Sequence, residues 1–436
     1  MSKTTVFRDF TKYVSLNVLG MISISLYVLA DTFFIARALG SYGLVALNLS
    51  IAVFSVMHGV GLMIGIGGAT QFAILKGKGE NANTVFTHSL FTALIAAMVF
   101  ITIGMFFSEQ IAATLGADEV ILPLASVYMQ TLLYFSVFSL LSNILIAFIR
   151  NDNNPKLAMA GMVTGSFANI IFDYIFLFPL AMGMFGAALA TGLSLILSVI
   201  VLSFHFLIKR NTLRLQKRKT RVKQIANIVF LGSSTLVGEL SFAITLITFN
   251  LVILGIAGNI GVAAYGIVAN VAFVPMAMFP GVAQGIQPLV SRGFGSGDNI
   301  MVKKVLKYAI ILVAVLSLII YCAAYIYSEN IVAVFNSEAN PLLASLATTG
   351  IIIYFIGFIF AAVNIITAAF FSAIAAAKWG LLVSLLRGCV IIVPMVIFLS
   401  GLFQMNGVWF SFVATELIVC ILSIALLHRK LKSPRF

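Results

Sequence analysis

The sequence predicts an all-α integral membrane protein with twelve transmembrane helices in two parallel six-helix repeats. Three observations lead there: a composition nearly free of charge, apolar runs of spanning length, and an internal repeat at a constant offset. Of 436 residues, 61% are hydrophobic and only 9% charged, with a mean hydropathy of +1.13. A soluble domain carries about 25% charged residues. A spanning helix needs about 20 apolar residues, so the chain holds roughly a dozen and leaves no room for a sizeable soluble domain.

Apolar runs bounded by Gly, Pro, Asn or charge place the first six spans near 13–37, 49–75, 85–107, 122–148, 156–178 and 184–208. The second six fall near 225–253, 264–290, 304–327, 343–374, 379–400 and 406–428. Lys3, Arg8 and Lys12 precede the first run, which lacks a small-residue cleavage site, so an uncleaved first helix is expected. Cys322, Cys389 and Cys420 lie singly in apolar runs, without a CxxC pair or histidine cluster, and read as packing residues.

The formal charge of +13 could suggest nucleic acid, but the cations are spread over short loops rather than gathered on a folded domain. They sit at Lys3, Arg8 and Lys12; Lys76 and Lys78; Arg150 and Lys156; eight positions from Lys209 to Lys223; Arg292, Lys303, Lys304 and Lys307; Lys378; and Arg429, Lys430, Lys432 and Arg435. Thus 24 of the 26 Lys and Arg occupy alternate connections. The positive-inside rule makes that side cytoplasmic. The opposite loops carry Glu109, Asp118, Glu119, Glu329 and Glu338, with Arg37 at a helix end. A multi-pass cell-membrane (inner or plasma membrane) protein with both termini cytoplasmic is expected. Arg387, a few residues into the eleventh span, is expected to snorkel.

A shift of 218 residues superposes Gly20 on Gly238, Ser23 on Ser241, Gly40 on Gly258, Gly67 on Gly285, Gly77 on Gly295 and Glu80 on Asp298. Later the offset becomes 221, matching Gly186 to Gly407 and Lys209 to Lys430. The expected division is an N-terminal six-helix lobe over 1–208, a cytoplasmic basic linker over 209–224 and a C-terminal six-helix lobe over 225–436. Each half has an even number of spans, so both are oriented alike and the pseudo-twofold runs along the membrane normal. Parallel repeats of this kind belong to transporters that rock two bundles about a midplane site.

Four acids fall inside the apolar runs: Asp31, Asp173, Glu239 and Glu416. A carboxylate there costs roughly 2.5–3.5 kcal/mol on insertion scales, so each is a functional candidate by default. By residue counting, Asp31, Asp173 and Thr191 all lie roughly 8–11 Å below the outer surface. Asn169 sits one turn deeper than Asp173 on the same helix face. Asp31, Asn169, Asp173 and Thr191, from three helices, form the candidate cation-coupling site. Two close carboxylates in a low dielectric resist joint ionisation, so the pair can take up a proton. When ionised, the same oxygens suit a hard cation such as Na+, and the sequence leaves H+ and Na+ both open. The second half has Phe249 and Pro394 at the positions equivalent to Asp31 and Asp173. Glu239, near mid-membrane, is a candidate substrate or second protonation site. Glu416 reads as structural, and His58 as a packed neutral imidazole. The eighth span carries Pro275, Pro280 and Pro288, and the second span carries Gly59, Gly61, Gly65, Gly67 and Gly68 over the matching stretch, a pattern suited to kinks and close packing.

The stretches ADTFFIARALG (30–40), RNDNNPKLAM (150–159), ANIIFDYIFLF (168–178) and GMFGAALAT (183–191) together resemble the multidrug and toxic compound extrusion (MATE) family, and the likeness spans the whole chain. The resemblance implies a cation-coupled antiporter exporting organic, cationic or amphipathic drugs and toxic compounds by alternating access. It places the coupling ion on Asp31, Asn169, Asp173 and Thr191. Some branches pair a helix-7 glutamate with a helix-10 aspartate. Glu239 matches the former, but 343–374 contains no acid.

The alternative within the same two-lobe plan is a lipid-linked precursor flippase, which needs several cations facing a central cavity, where only Arg387 is a candidate. A channel filter is not evident, nor is the clustered nucleophile or metal set of an enzyme. The expected partners are a small organic substrate, H+ or Na+ and the lipid bilayer, with no cofactor, metal or nucleic acid, and the chain is expected to act as a monomer.

Overall fold

The computed structural model describes residues 3–207, 209, 211–216, 221–336 and 340–433. Arg210, Lys217, Arg218, Lys219, Glu338 and Arg435 of the expected loops lie outside them, as does the side chain of Lys3. The described residues are helical, with no strand, as hydrocarbon demands: a spanning segment must satisfy its own backbone donors and acceptors.

In chain order the helices are α1 (Lys3–Gly77), α2 (Asn83–Thr114), α3 (Leu122–Tyr134), α4 (Ser136–Asn151), α5 (Pro155–Leu177) and α6 (Gly183–Ser203). The second half continues with α7 (Val222–Gly295), α8 (Asn299–Ile326), the short α9 (Ser328–Phe335), α10 (Pro341–Tyr354), α11 (Gly357–Ala373), α12 (Ala377–Leu385) and α13 (Ile392–Leu431). One π-helical turn, Leu386–Val390, separates the last two.

Two of these helices, α1 and α7, are pairs of spans joined by a single non-helical residue, and α13 joins the end of the eleventh span to the twelfth in the same way. Gly40 (φ 65°, ψ −152°) breaks α1 and Gly258 (φ 60°, ψ −155°) breaks α7. These two glycines are 218 residues apart and share one backbone conformation, in a region essentially closed to any residue with a Cβ. In α13 the break is Gln404 (φ 53°), whose counterpart 221 residues earlier, Gly183, has φ 60°. Seven helices are long and apolar enough to cross a membrane, three of them contain a break, and α3–α4 and α10–α11 are bent pairs. Twelve spans follow among the described residues.

The fourth and tenth spans, each expected as one run, bend by 52° and 45°. Each bend has a ring seated on a glycine, Phe135 on Gly192 and Phe412 on Gly357. Helix α9 was not among the expected spans, being a short segment in the connection after α8. Large apolar side chains such as Phe33, Phe106, Phe398 and Ile421 are more than half exposed, as expected for surfaces facing lipid tails rather than water. Cys322, expected to pack inside, lies on an exposed face, while Cys420 is buried.

The basic connections meet at one end of the molecule, here the basic end. There the two halves approach with almost no side chain between them. A Cβ on Gly67 would collide with Ile228 O, and one on Gly232 with Met63 O. A Cβ on Gly77 would come within 2.6 Å of Arg292 O, and one on Gly295 would strike Ile74 O. Gly281 and Gly285 likewise rest on the backbone of Val18 and Val14, at 2.9 Å and 2.8 Å from an added Cβ. Gly67 with Gly285, and Gly77 with Gly295, are repeat equivalents, so the pseudo-twofold passes between them.

The apolar core divides mostly by half. Two clusters lie within the first half apart from Leu213 and Ile228, one around Phe72, Phe86, Phe148 and Ile144 and one around Ile35, Ala125 and Met129. The largest cluster belongs to the second half but takes in Val6, Phe10, Tyr13 and Val14 from the start of α1. Phe7 meets Tyr308 of α8 edge-on and Phe10 meets it tilted, at 5.5 Å and 5.6 Å between ring centroids.

Adding a methyl at the glycine crossing therefore overpacks backbone against backbone. Gly232→Ala is expected to cost about 1–3 kcal/mol, read as a lower melting temperature in detergent, whereas Gly238→Ala, whose added Cβ meets nothing within 4 Å, should melt like the parent.

Candidate cation site and the seam between the halves

Small residues bring the three site helices together. Gly20 of α1 lies under Met162 of α5, Gly161 under Leu202 of α6, and Gly165 against Ser198. Close backbone approach lets short polar side chains meet across helices. Asp31 (7% exposed), Asn169 (0%), Asp173 (0%) and Thr191 (6%) are all buried. The Asn169 amide donates to Thr191 Oγ1 at 3.2 Å, and the carboxyl groups of Asp31 and Asp173 lie within electrostatic reach of each other. No donor from the rest of the protein reaches Asp31 Oδ1, either oxygen of Asp173, or Asn169 Oδ1. Buried oxygens without partners are costly, and four of them lie in this one cluster. Its donors are hard oxygens only, and among the described residues no group of three His, Cys, Asp or Glu could hold a metal ion.

Two residues of this neighbourhood were missed in the sequence. Tyr27, one turn before Asp31, and Tyr128 of α3 both lie within electrostatic reach of Asp31 and Asp173. Spacing on α1 could have flagged Tyr27. Tyr128 reaches the site only through the packing of α3 on α6, which leaves no local pattern.

The other candidates lie apart from the cluster. Glu239 is partly exposed at the junction of the halves, where a Cβ on Gly59 would stand 3.3 Å from its Cβ. It lies within electrostatic reach of Tyr27 but is not joined to the acid pair. Glu416 is buried in the second half. Arg387, expected to snorkel, does not: its Nη2 donates to Glu416 Oε1 at 2.7 Å and its Nε to the same oxygen at 3.1 Å. Asn364 completes the group, donating to Glu416 Oε2 at 2.7 Å. A buried carboxylate within reach outweighs a path to the interface, since either charge alone would be stranded. His58 stacks on Phe54 and contacts Asn143 at 3.3 Å.

The basic end is tied by polar side chains. Arg150, expected on a loop, is instead 1% exposed at the last turn of α4, donating to Asn17 Oδ1 at 2.5 Å and Gln284 Oε1 at 3.1 Å. Asn151 donates to Gln287 Oε1 at 2.9 Å, and Gln287 donates to Thr70 Oγ1 at 3.0 Å. Arg292 donates to Asn153 Oδ1 at 2.5 Å. Each of these groups except Asn17–Arg150 bridges the two halves.

The MatE family model matches residues 18–175 and again 234–398. The two matches cover well over half of the chain, one in each repeat. This chain belongs to the MatE family. It is a membrane transporter, not an enzyme. Among the relatives of this MatE protein is Multidrug export protein MepA of Staphylococcus saprophyticus, 25% identical over 98% of this chain and 94% of its own length. The MepA of Staphylococcus aureus strain MRSA252 is 24% identical over the same shares. A solved structure described as the outward-facing conformation of a multidrug resistance MATE family transporter superposes with a TM-score of 0.91. It is 21% identical and covers 97% of this chain and 95% of its own.

In this MatE chain the connection between the halves is itself clasped to the first half. Asp152 accepts from Lys76 Nζ at 2.6 Å, His205 Nε2 at 3.0 Å and Thr212 N at 2.8 Å, and from the Thr212 hydroxyl. Further along, Arg214 N donates to Asn83 Oδ1 at 3.2 Å and Gln216 N to Thr87 Oγ1 at 3.0 Å. Burial alone would raise the Asp152 carboxyl, but the His205, Lys76 and Thr212 hydrogen bonds together hold it below the usual carboxylate range. A depressed folded-state value stabilises the fold above the unfolded carboxylate value, and the benefit is lost as pH falls below it. Asp152→Asn is expected to cost about 2 kcal/mol at pH 7, and its melting temperature should converge on that of the parent as pH is lowered below about 4.

Proposed function

We propose that this MatE transporter is a cation-coupled antiporter that exports organic, cationic or amphipathic compounds by alternating access. The observation that carries the reading is the buried Asp31–Asp173 pair, in which Asp31 Oδ1 and both Asp173 oxygens receive no donor from the protein. Among the described residues the three ion pairs are Lys76–Asp152, His205–Asp152 and Arg387–Glu416, so no protein cation answers the pair. An H+ or Na+ from solution supplies the missing charge. Asn169 and Thr191 then orient around it, and Tyr27 and Tyr128 wall the cluster. Coupling follows if the bound ion favours one arrangement of the halves and the organic substrate another, because a ligand shifts an equilibrium only by its differential affinity for the two states.

Further support comes from the relatives named as multidrug export proteins. The positive-inside rule makes the basic end cytoplasmic. That end is closed by the glycine crossing and its hydrogen bonds, which fits a chain poised to exchange ions and substrate on the opposite side. The flippase alternative loses its one candidate cation, since Arg387 is held by Glu416.

The test is ethidium efflux in everted membrane vesicles energised by a proton gradient alone or a sodium gradient alone. One gradient should drive efflux, and Asp31→Asn or Asp173→Asn should slow it by roughly tenfold or more, within the range typical of coupling between sites. Undiminished gradient-driven efflux in both variants would remove the first-half acids from the coupling mechanism.

A further inference from the structure

A fully buried arginine with only neutral acceptors is unusual, because a buried cation is normally paired. Arg150 is such a residue. Its Nη1 is bonded to the side-chain oxygens of Asn17 and Gln284, its Nε has no partner, and among the described residues no carboxylate pairs with it. The acid nearest in sequence, Asp152, is turned to Lys76, His205 and Thr212. Arg292, the next guanidinium along the seam, is likewise met by neutral oxygens, Asn153 Oδ1 and the carbonyl of Asn151. Lys76, by contrast, is neutralised by Asp152.

The position matters as much as the charge. Asn17 precedes Asp31 by fourteen residues on one limb of α1, which is about 21 Å along the axis. Arg150 therefore sits in the seam between the halves, well below the acid pair and on its basic-end side. Around it the seam is lined with polar side chains, Asn17, Gln284, Asn151, Gln287 and Thr70, a surface that water and a small cation could wet. Hydrogen bonds and close packing stop a drug-sized molecule, but they are a poor barrier to a proton or a small ion.

We propose that Arg150 is an electrostatic plug that stops the coupling cation from leaking through the closed basic end of the seam. An uncompensated guanidinium in a low-dielectric constriction repels a monovalent cation of either kind, as fixed positive charges do in cation-excluding pores. The neutral acceptors on both halves hold the group in the seam without cancelling its charge. They also release it cheaply when the halves part, which a carboxylate partner would not. The inference rests on the cation-coupled reading above.

The test uses the full-length protein in liposomes under a potassium–valinomycin diffusion potential, inside negative, with no organic substrate. Proton entry is followed with pyranine and sodium entry with a sodium-sensitive dye. Arg150→Gln is expected to raise entry of at least one cation by about tenfold or more, and Arg150→Lys to stay as tight as the parent. A second pair keeps Arg150 in place: Gln284→Glu adds a neutralising carboxylate and should leak, whereas Gln284→Leu removes the hydrogen bond and should stay tight. Parent-like tightness of a folded Arg150→Gln would overturn the proposal, as would equal leaks from Gln284→Leu and Gln284→Glu. If Arg150→Gln does not fold, the Gln284 pair decides. Because the assay contains no substrate, a parent that shows no gradient-driven efflux but this leak pattern would overturn the coupling reading alone.

Discussion

The backbone-to-backbone crossing of α1 and α7 at the basic end is the constraint on which the rest of the architecture depends. At Gly67, Gly77, Gly232 and Gly295 the two halves meet with no side chain between them. In hydrocarbon there is no hydrophobic drive to join apolar helices, so association rests on close packing and on polar contacts at the interface. The crossing supplies the first, and the amides and guanidinium groups of Asn151, Gln287, Arg150 and Arg292 supply the second. Fixing this end leaves the opposite ends of the helices, near Gly40 and Gly258, to define the space between the halves.

Within this symmetric frame the two halves carry different chemistry. At the place of Asp31 the second half has Phe249, which stacks on Tyr265 at 5.3 Å and meets Tyr354 edge-on at 6.2 Å. An aromatic cluster thus fills what is an acidic site in the first half. The second half keeps its own buried acid, Glu416, but satisfies it internally through Arg387 and Asn364. One half therefore leaves buried carboxylate oxygens without protein partners, and the other does not.

Much of this was legible in the sequence, and the reasons are physical. Span positions followed from hydrocarbon thickness, and the repeat offset placed Gly40 opposite Gly258 before their shared backbone angles were known. The site residues came from depth counting and helix periodicity, and the structure gathers Asp31, Asn169, Asp173 and Thr191 into one buried cluster. What remained hidden was tertiary. The bend at the fourth span depends on Gly192 of α6, and the bend at the tenth on the ring of Phe412 from α13. Tyr128 reaches the site across a helix interface. Arg387 and Glu416 are 29 residues apart in sequence, with nothing local to mark them as a pair. Arg150 looked like a loop cation because its place in a run of polar residues, RNDNN, does not reveal that the opposite half covers it.

The clasp on the inter-half connection sets a geometric limit on motion. Gln216 is bonded to Thr87 of the first half, and α7 of the second half begins at Val222. The six intervening peptide units can stretch to at most about 20 Å. While the clasp holds, the covalent leash caps how far these two points at the basic end can separate, and no chain segment bridges the halves at the opposite end. A molecule built this way can gape freely on one face of the membrane but only within a fixed aperture on the other.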